Sequence, residues 1–199
     1  MNIAVFCSSN GTNLQAIIDA GAKGLIKSDI RLVVSDIPGC FALERAKKAG
    51  IETFVVQRDN FPSKQEYEKT ILNKLESLEI NLIALAGYMR LLSPDFIKAY
   101  RNKILNIHPA LLPSFKGAHG IKDAFEYGVK ITGPTVHFVT EDMDTGPIIL
   151  QSAVSVMEDD TEETIAEAIH REEHKIYPRA IQLFAEGRLK IVGRKVKIV

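Results

Sequence analysis

The segment Leu105–Pro109 holds two polar side chains that can act on the same bond. If this segment is a strand, Asn106 and His108 lie two residues apart and point to the same face. An amide donates a hydrogen bond without titrating, whereas an imidazole can also transfer a proton. The pair therefore suits a reaction in which a carbonyl oxygen gains negative charge. A carboxylate such as Asp144, folded back onto His108, would favour the imidazolium and fix the orientation of the ring.

The alternative is a buried, purely structural pair whose polar atoms are bonded to the backbone. Polar loops elsewhere in the chain help to choose between the two interpretations, because they are expected at the carboxyl ends of the strands, where ligands bind. The first of these is Ser8–Asn13, which separates an apolar run from a helical pattern.

Within this loop, Gly11 would let the backbone approach a ligand closely. Thr12 and Gln15 have the spacing of a capping box, so we expect the helix to begin near Thr12. Free N–H groups at a helix start attract anions. The loop is neither a GxGxxG fingerprint nor a P-loop. We interpret it as a site for a monophosphate, with an ordinary strand–helix turn as the alternative.

Two further motifs allow both a binding and a structural interpretation. The segment Gly87–Leu92 follows the fourth apolar run and could line a pocket for a flat organic ligand, or it could pack under the next helix. The segment His170–His174 matches H-x-x-E-H, a zinc-peptidase pattern. Only Glu186 remains after it as an acid, and no further His or Cys follows. We therefore predict no metal here, but a carboxylate that binds the hydroxyls of a ligand.

His119 and His137 are interpreted differently, one as a site residue and the other as a structural residue. His119 lies in a glycine-bounded loop and is expected to border the site of His108. His137, inside the apolar run Thr135–Val139, is expected to be structural.

The composition indicates a globular protein with no global electrostatic field. The 199 residues suit one domain over 1–199, and 46% of them are hydrophobic and 25% charged. The 25 basic and 25 acidic residues cancel, which argues against nucleic acid or a membrane surface as partner. Two cysteines are too few for a disulfide framework or a zinc site. No apolar run is long enough to span a membrane, and the first one is too short for a signal peptide. We therefore expect a cytoplasmic protein.

Short apolar runs alternate with helical patterns up to residue 110. This alternation predicts a doubly wound, mostly parallel sheet flanked by helices, an α/β fold. The expected strands are Ile3–Cys7, Ile30–Val34, Thr53–Val56, Leu82–Ala86 and Ile104–His108. The expected helices are Leu14–Ala22, Phe41–Ala49, Ser63–Leu78 and Pro94–Tyr100.

The pattern changes after residue 110. Thr135–Val139 and Pro147–Val154 are expected to form two strands joined by an acidic turn, an antiparallel edge to the sheet. Thr161–Phe184 predicts a long helix with a bend at Pro178. The tail 189–199 is expected to form a small hairpin.

Taken together, these motifs resemble the phosphoribosylglycinamide formyltransferases, a folate-dependent family of purine biosynthesis. The similarity runs from residue 2 to about 190 through several motifs in order. They are Gly11–Gln15, Leu85–Arg90, Asn106–Pro113, Val136–Val139, Asp144–Pro147, Glu173–His174 and Tyr177–Pro178. The resemblance implies a Rossmann-like formyltransferase fold and 10-formyltetrahydrofolate as co-substrate. It also implies glycinamide ribonucleotide as the second substrate, in a monomer or homodimer.

The resemblance implies a role for each matching residue. Asn106, His108 and Asp144 would be catalytic, with the first two donating to the oxyanion of a tetrahedral intermediate. Gly11, Thr12 and Asn13 would hold the phosphate of the ribonucleotide, and Glu173 its ribose. The implied folate contacts are Lys64, Met89, Arg90, Leu91, Leu92, Asn106, Thr140, Glu141, Asp142, Met143 and Asp144.

Related enzymes share the formyl chemistry and stand as alternatives. A formyltetrahydrofolate hydrolase would be expected to carry an extra N-terminal domain, and a methionyl-tRNA formyltransferase a basic C-terminal one. The chain starts at its first strand, ends soon after the last helix and has zero net charge, which favours the purine enzyme. From other classes, a zinc hydrolase built on His170 and His174 and a ligand-binding module without activity remain as alternatives.

Overall fold

The computed structural model describes all 199 residues as a single layered α/β arrangement. The helices are α1 (Thr12–Ala22), α2 (Phe41–Lys48), α3 (Lys64–Ser77), α4 (Pro94–Ala99), α5 (Gly120–Tyr127) and α6 (Glu162–Ala185). The strands are β1 (Asn2–Cys7), β2 (Asp29–Ser35), β3 (Glu52–Val55), β4 (Leu82–Leu85), β5 (Ile104–His108), β6 (Ile131–Thr132), β7 (Thr135–Phe138), β8 (Ile148–Gln151), β9 (Val154–Ser155), β10 (Leu189–Val192) and β11 (Lys195–Ile198).

Nine strands form one sheet in the order β10-β11-β8-β7-β5-β4-β1-β2-β3. The five strands from β5 to β3 are parallel, as predicted. β7 pairs antiparallel with β5, and β8 pairs antiparallel with β7. The predicted C-terminal hairpin is present as β10 and β11, and β11 meets β8 through the pair Lys195 and Ile148. The fold class predicted from the sequence is confirmed.

Alternate residues of the central strands point to opposite faces of the sheet, which explains their unbroken apolar runs. On one face, Val5 packs with residues of α1, α2 and α6. On the other face, Phe6 packs with residues of α3 and α4. Since both faces are covered by helices, every position of β1 from Ile3 to Cys7 is fully buried.

Side-chain caps begin three of the six helices, α3, α4 and α6. The side chains of Ser63 and Ser93 accept the N–H groups of Glu66 and Phe96, and Pro94 occupies the first turn of α4. The capping box expected at Thr12 is absent, because the N-cap of α1 is Gly11 and no side chain caps that helix. This difference leaves the first N–H groups of α1 without side-chain partners.

The structure corrects two predictions after residue 110. The strand expected over Pro147–Val154 is divided into β8 and β9, and β9 leaves the large sheet to pair with β6. The helix α5 was not predicted; it is only eight residues long, begins with Gly120 and ends before Gly128 in a left-handed conformation. The long helix α6 continues through Pro178 without interruption. No helix of the structure is both long and apolar enough to cross a membrane.

Candidate active site

A cavity of about 550 Å³ opens at the carboxyl ends of the parallel strands, where ligands bind in sheets of this kind. It is continuous from the start of α1 to the turn after β7. The residues of the sequence prediction that line it are Gly11, Thr12, Asn13, Met89, Arg90, Leu91, Leu92, Asn106, His108, Thr140, Asp142, Met143, Asp144 and Glu173. Lys64 and Glu141 do not line it, and both are exposed on the surface.

Asn106 and His137 face each other across the antiparallel pair of β5 and β7. The amide Nδ2 of Asn106 lies 3.2 Å from Nε2 of His137, whose Nδ1 lies 2.9 Å from the carbonyl oxygen of Phe138. With Nδ1 protonated, the ring of His137 donates to that carbonyl and accepts from Asn106. One amide hydrogen of Asn106 is thereby oriented, and the other remains for a ligand.

His108 lies between two hydrogen-bond acceptors and is almost fully buried. Its Nε2 donates to the carbonyl oxygen of Phe115 at 2.7 Å, and its Nδ1 is 3.5 Å from Oδ2 of Asp144. Asp144 thus folds back onto the Nδ1 side of His108, as expected from the sequence. Asn106 and His108 are on the same strand and both line the cavity.

Asp144 reaches this pair because its turn folds back over β7. The turn is tight: a β-carbon on Gly146 would lie 1.6 Å from the carbonyl oxygen of Phe138. The carboxylate accepts the N–H of Gly117 at 2.9 Å and lies 3.5 Å from Nε2 of His137. Burial alone would raise the pKa of Asp144, but the hydrogen bond from the Gly117 N–H and the neighbouring His108 lower it. Asp144 is therefore an ionised acceptor at neutral pH.

The other end of the cavity is suited to an anion. The first intrahelical bond of α1 runs from the N–H of Gln15 to the carbonyl of Gly11, so the N–H groups of Thr12, Asn13 and Leu14 have no partner in the protein. Gly11 has φ +67°, and a β-carbon there would lie 2.7 Å from Cβ of Ala42. Glycine is required at this position for both reasons.

Glu173 occupies the floor next to this helix start and is buried. Its Oε2 accepts from Nδ2 of Asn13 at 2.9 Å and lies 2.9 Å from Nδ1 of His170. The bond to Glu173 raises the pKa of His170. Burial, and then the positive charges of His170 and Arg45, lower the pKa of His174 against the opposing effect of Glu173. Imidazoles and one guanidinium thus surround the helix start.

The structure reverses the predictions for His137 and His119. His137, expected to be structural, lines the cavity and contacts Asn106. His119, expected to border the site, is exposed and lies outside the cavity lining. The pairing of β5 with β7 would have identified His137, but no local sequence pattern encodes that register.

A second, larger cleft of about 1070 Å³ lies between α1 and α6 and contains none of Asn106, His108 and Asp144. His174 lines it, with Nε2 buried and unpaired. The structure gathers no group of three His, Cys, Asp or Glu side chains able to hold a metal ion. The cavity at the strand ends is therefore the candidate active site.

A formyltetrahydrofolate deformylase from Pseudomonas syringae pv. tomato has the same fold, with a TM-score of 0.92 over 99% of this chain and 65% of that chain. Its sequence identity to this chain is 26%. It is thus a more distant neighbour than the transferases described next.

Residues 1–181 match the profile of the Formyl transferase family. The phosphoribosylglycinamide formyltransferase of Escherichia coli (strain K12) is 44% identical over 96% of this chain and 90% of its own length. The enzyme of the same name from Bacillus subtilis (strain 168) is 45% identical over 90% of this chain and 92% of its own. The glycinamide ribonucleotide transformylase 1 structure from Symbiobacterium toebii superposes with a TM-score of 0.98 at 47% identity, covering 100% of this chain and 94% of that one. The chain belongs to the Formyl transferase family and, within it, to the phosphoribosylglycinamide formyltransferases.

Proposed function

We propose that this enzyme of de novo purine biosynthesis transfers a formyl group to glycinamide ribonucleotide with Asn106, His108 and Asp144 as its catalytic residues. The family uses 10-formyltetrahydrofolate as formyl donor. The observation that carries the proposal is the meeting of these three side chains in one cavity whose far end is an uncapped helix start.

In the proposed reaction, the amine nitrogen of the ribonucleotide attacks the formyl carbon of the folate, and the carbonyl electron pair moves to oxygen. An N–H of Asn106 and the Nε2–H of His108 donate to that oxyanion. Removal of one such donor typically costs about 10²–10³ in rate. As the oxyanion collapses, the bond from carbon to N10 breaks and N10 takes a proton. The proton lost by the attacking amine leaves through water, with the Asp144 carboxylate as the nearby base.

This role requires His108 to exchange one hydrogen bond. Its Nε2–H is bonded to the carbonyl of Phe115, so the formyl oxygen takes the place of that carbonyl when substrate binds. Asp144, on the Nδ1 side of the ring, keeps the imidazole oriented through the exchange.

The ribonucleotide is assigned to the α1 end of the cavity. Its phosphate binds the free N–H groups of Thr12 and Asn13 beside Gly11, and Glu173 accepts the ribose hydroxyls. The cationic surroundings of His170 and Arg45 support this assignment. A carboxylate that already accepts two hydrogen bonds is well oriented for a third donor.

The folate is assigned to the cavity wall made by two irregular segments, Met89–Leu92 and Thr140–Asp144. The backbone N–H groups of Arg90, Leu91 and Leu92 have no partner in the protein, which suits the polar edge of a pterin. Lys64 is outside the cavity and 3.8 Å from Glu68, so its proposed folate contact is restricted to the exposed tail of the ligand.

We also propose that residues 1–199 act as one formyltransferase domain in the cytoplasm, as a monomer or homodimer, with small molecules as their partners. The zero net charge and the sheet shared by both ends of the chain support this.

Folate deformylation followed by absorbance tests the proposal, with and without glycinamide ribonucleotide. We expect turnover only when the amine is present. Turnover that persists without the amine would identify water as the acceptor and favour the alternative, a formyltetrahydrofolate hydrolase. Absence of turnover in both assays would contradict the assigned site.

A further inference from the structure

A buried carboxylate lies just outside the proposed folate subsite, and no role has been given to it so far. Asp36 follows β2 directly, and its side chain is only 3% exposed. Its Oδ1 accepts the hydroxyl of Ser8 at 2.6 Å, and its Oδ2 accepts Nε of Arg90 at 2.6 Å. A buried carboxylate with one cationic and one hydroxyl partner is well stabilised, so its position is fixed.

The contacts of Asp36 lead to the backbone of the cavity wall. The Ser8 hydroxyl that donates to Asp36 also accepts the N–H of Met89 at 3.0 Å. The N–H of Ser8 donates to the carbonyl of Gly87 at 3.0 Å. Ser8, Asp36 and Gly87 follow β1, β2 and β4, which are neighbours in the sheet, so the network joins three strand ends.

The wall segment needs such external support because it has no regular structure of its own. Residues 87–93 belong to no helix or strand, and the N–H groups of Arg90, Leu91 and Leu92 are free. A ligand binds these groups best when the backbone already has one conformation, since ordering the backbone on binding would cost conformational entropy.

We propose that Asp36 is a positioning residue for the formyl-folate subsite: through the Ser8 hydroxyl and the Arg90 side chain, it holds the Met89–Leu92 backbone in the conformation that binds the pterin. This inference rests on the proposed function. In this arrangement the Arg90 side chain has a structural role, because its charge is paired with Asp36. The pterin is then bound by backbone groups.

The test uses the full-length enzyme with Asp36→Ala and Ser8→Ala. Each variant should raise the KM for 10-formyltetrahydrofolate about five- to tenfold, with the KM for glycinamide ribonucleotide unchanged. Because both residues act through the same hydrogen bonds, the double variant should be no worse than the more affected single variant. Asp36→Asn keeps an acceptor for Ser8 but loses the charge paired with Arg90, so it should restore only part of the folate affinity.

Ser35→Ala is the matched control, because Ser35 is buried next to Asp36 but bonds only Ile37 and Cys40. It should leave the KM for folate unchanged. An equal rise in both KM values, the same rise in Ser35→Ala, or additive single effects would overturn the inference. Should Asp36→Ala fail to fold, Asp36→Asn takes its place, and Ser8→Ala tests the hydroxyl link while leaving the pair of Asp36 and Arg90 intact.

Binding of tetrahydrofolate, measured by calorimetry, separates this inference from the proposed function. Loss of tetrahydrofolate affinity in Asp36→Ala and Ser8→Ala supports the positioning role whatever the acceptor of the formyl group is. Wild-type transferase activity combined with unchanged tetrahydrofolate affinity in both variants would overturn the positioning role alone.

Discussion

At the scale of single residues, the site depends on which oxygen or nitrogen accepts each side-chain N–H of Asn106 and His108. His108 is poised between Asp144 and the Phe115 carbonyl, and Asn106 has one amide hydrogen committed to His137. The free amide hydrogen of Asn106 is oriented before substrate binds, whereas the Nε2–H of His108 becomes available to an oxyanion only once it leaves the Phe115 carbonyl.

Replacement of His108 by Ala should lower kcat by at least about 10²–10³, because one oxyanion donor is lost. Asp144→Asn should have a similar effect, since an amide cannot stabilise the imidazolium. Steady-state kinetics with thermal unfolding measures both. His119→Ala, at an exposed position outside the cavity, is the control and should keep native kcat. Near-native kcat in His108→Ala would rule out the assigned role.

The hydrogen bond between His170 and Glu173 should make stability depend on pH. It raises the pKa of His170 in the folded state, so its contribution is complete below the ordinary histidine value of about 6.5 and is lost as pH rises through the folded value. The difference in free energy of unfolding between wild type and His170→Gln should thus be largest at acidic pH. Urea unfolding from pH 5 to 9 measures it, and a difference that grows towards alkaline pH would contradict the assignment.

At the scale of elements, the turn 140–146 and helix α1 each contain a glycine, but only the one in the turn leaves no room for a side chain. Gly146 has no room for a β-carbon, which would overlap the Phe138 carbonyl. Gly21, inside α1, has no neighbour within 4 Å and an ordinary φ. The two positions therefore form a matched pair for the same substitution.

Gly146→Ala should displace the turn that carries Asp144, with loss of activity and a lower melting temperature. Gly21→Ala should instead stabilise the protein by about 0.5–1 kcal/mol, because alanine is the better helix former. Thermal unfolding and kcat of both variants provide the measurement. A Gly146→Ala enzyme with native activity would show that the tight turn is unnecessary.

At the scale of the whole molecule, helix α6 links the strands β4 and β5 to the end of the cavity proposed for the ribonucleotide. It carries Glu173, and one turn further on it carries Tyr177, which is fully buried. The hydroxyl of Tyr177 lies 2.8 Å from the carbonyl of Leu85 and 3.1 Å from that of Leu105, at the ends of β4 and within β5. The same helix thus anchors to the sheet beside the site and supplies a residue to it.

Tyr177→Phe should lower the free energy of unfolding by about 1–3 kcal/mol, because two buried carbonyls lose their shared donor. The urea m-value should stay unchanged, since the same surface is exposed on unfolding. An unaltered unfolding midpoint would show that the hydroxyl contributes nothing to the packing of α6.

The sequence predicts the parallel half of the fold well because its signals are local. The apolar runs are continuous where both faces are covered, and Ser63 and Ser93 mark their helices within a few residues. Strand alternation alone places Asn106 and His108 on one face of β5. His137 and Asp36 escape prediction, because their partners lie 31 and 54 residues away in the chain and become neighbours only through the order of the strands.

The contact between Gly11 and Ala42 has a consequence for evolution and engineering. Position 42 does not line the cavity, yet its methyl group lies only 2.7 Å from where a β-carbon at position 11 would be, so α2 packs closely against the loop before α1. A library randomised at position 42 should return glycine and alanine almost alone. Larger side chains there would displace the loop before α1, so if that loop binds the ribonucleotide as proposed, substitutions at position 42 would change substrate affinity without altering any group that contacts the substrate.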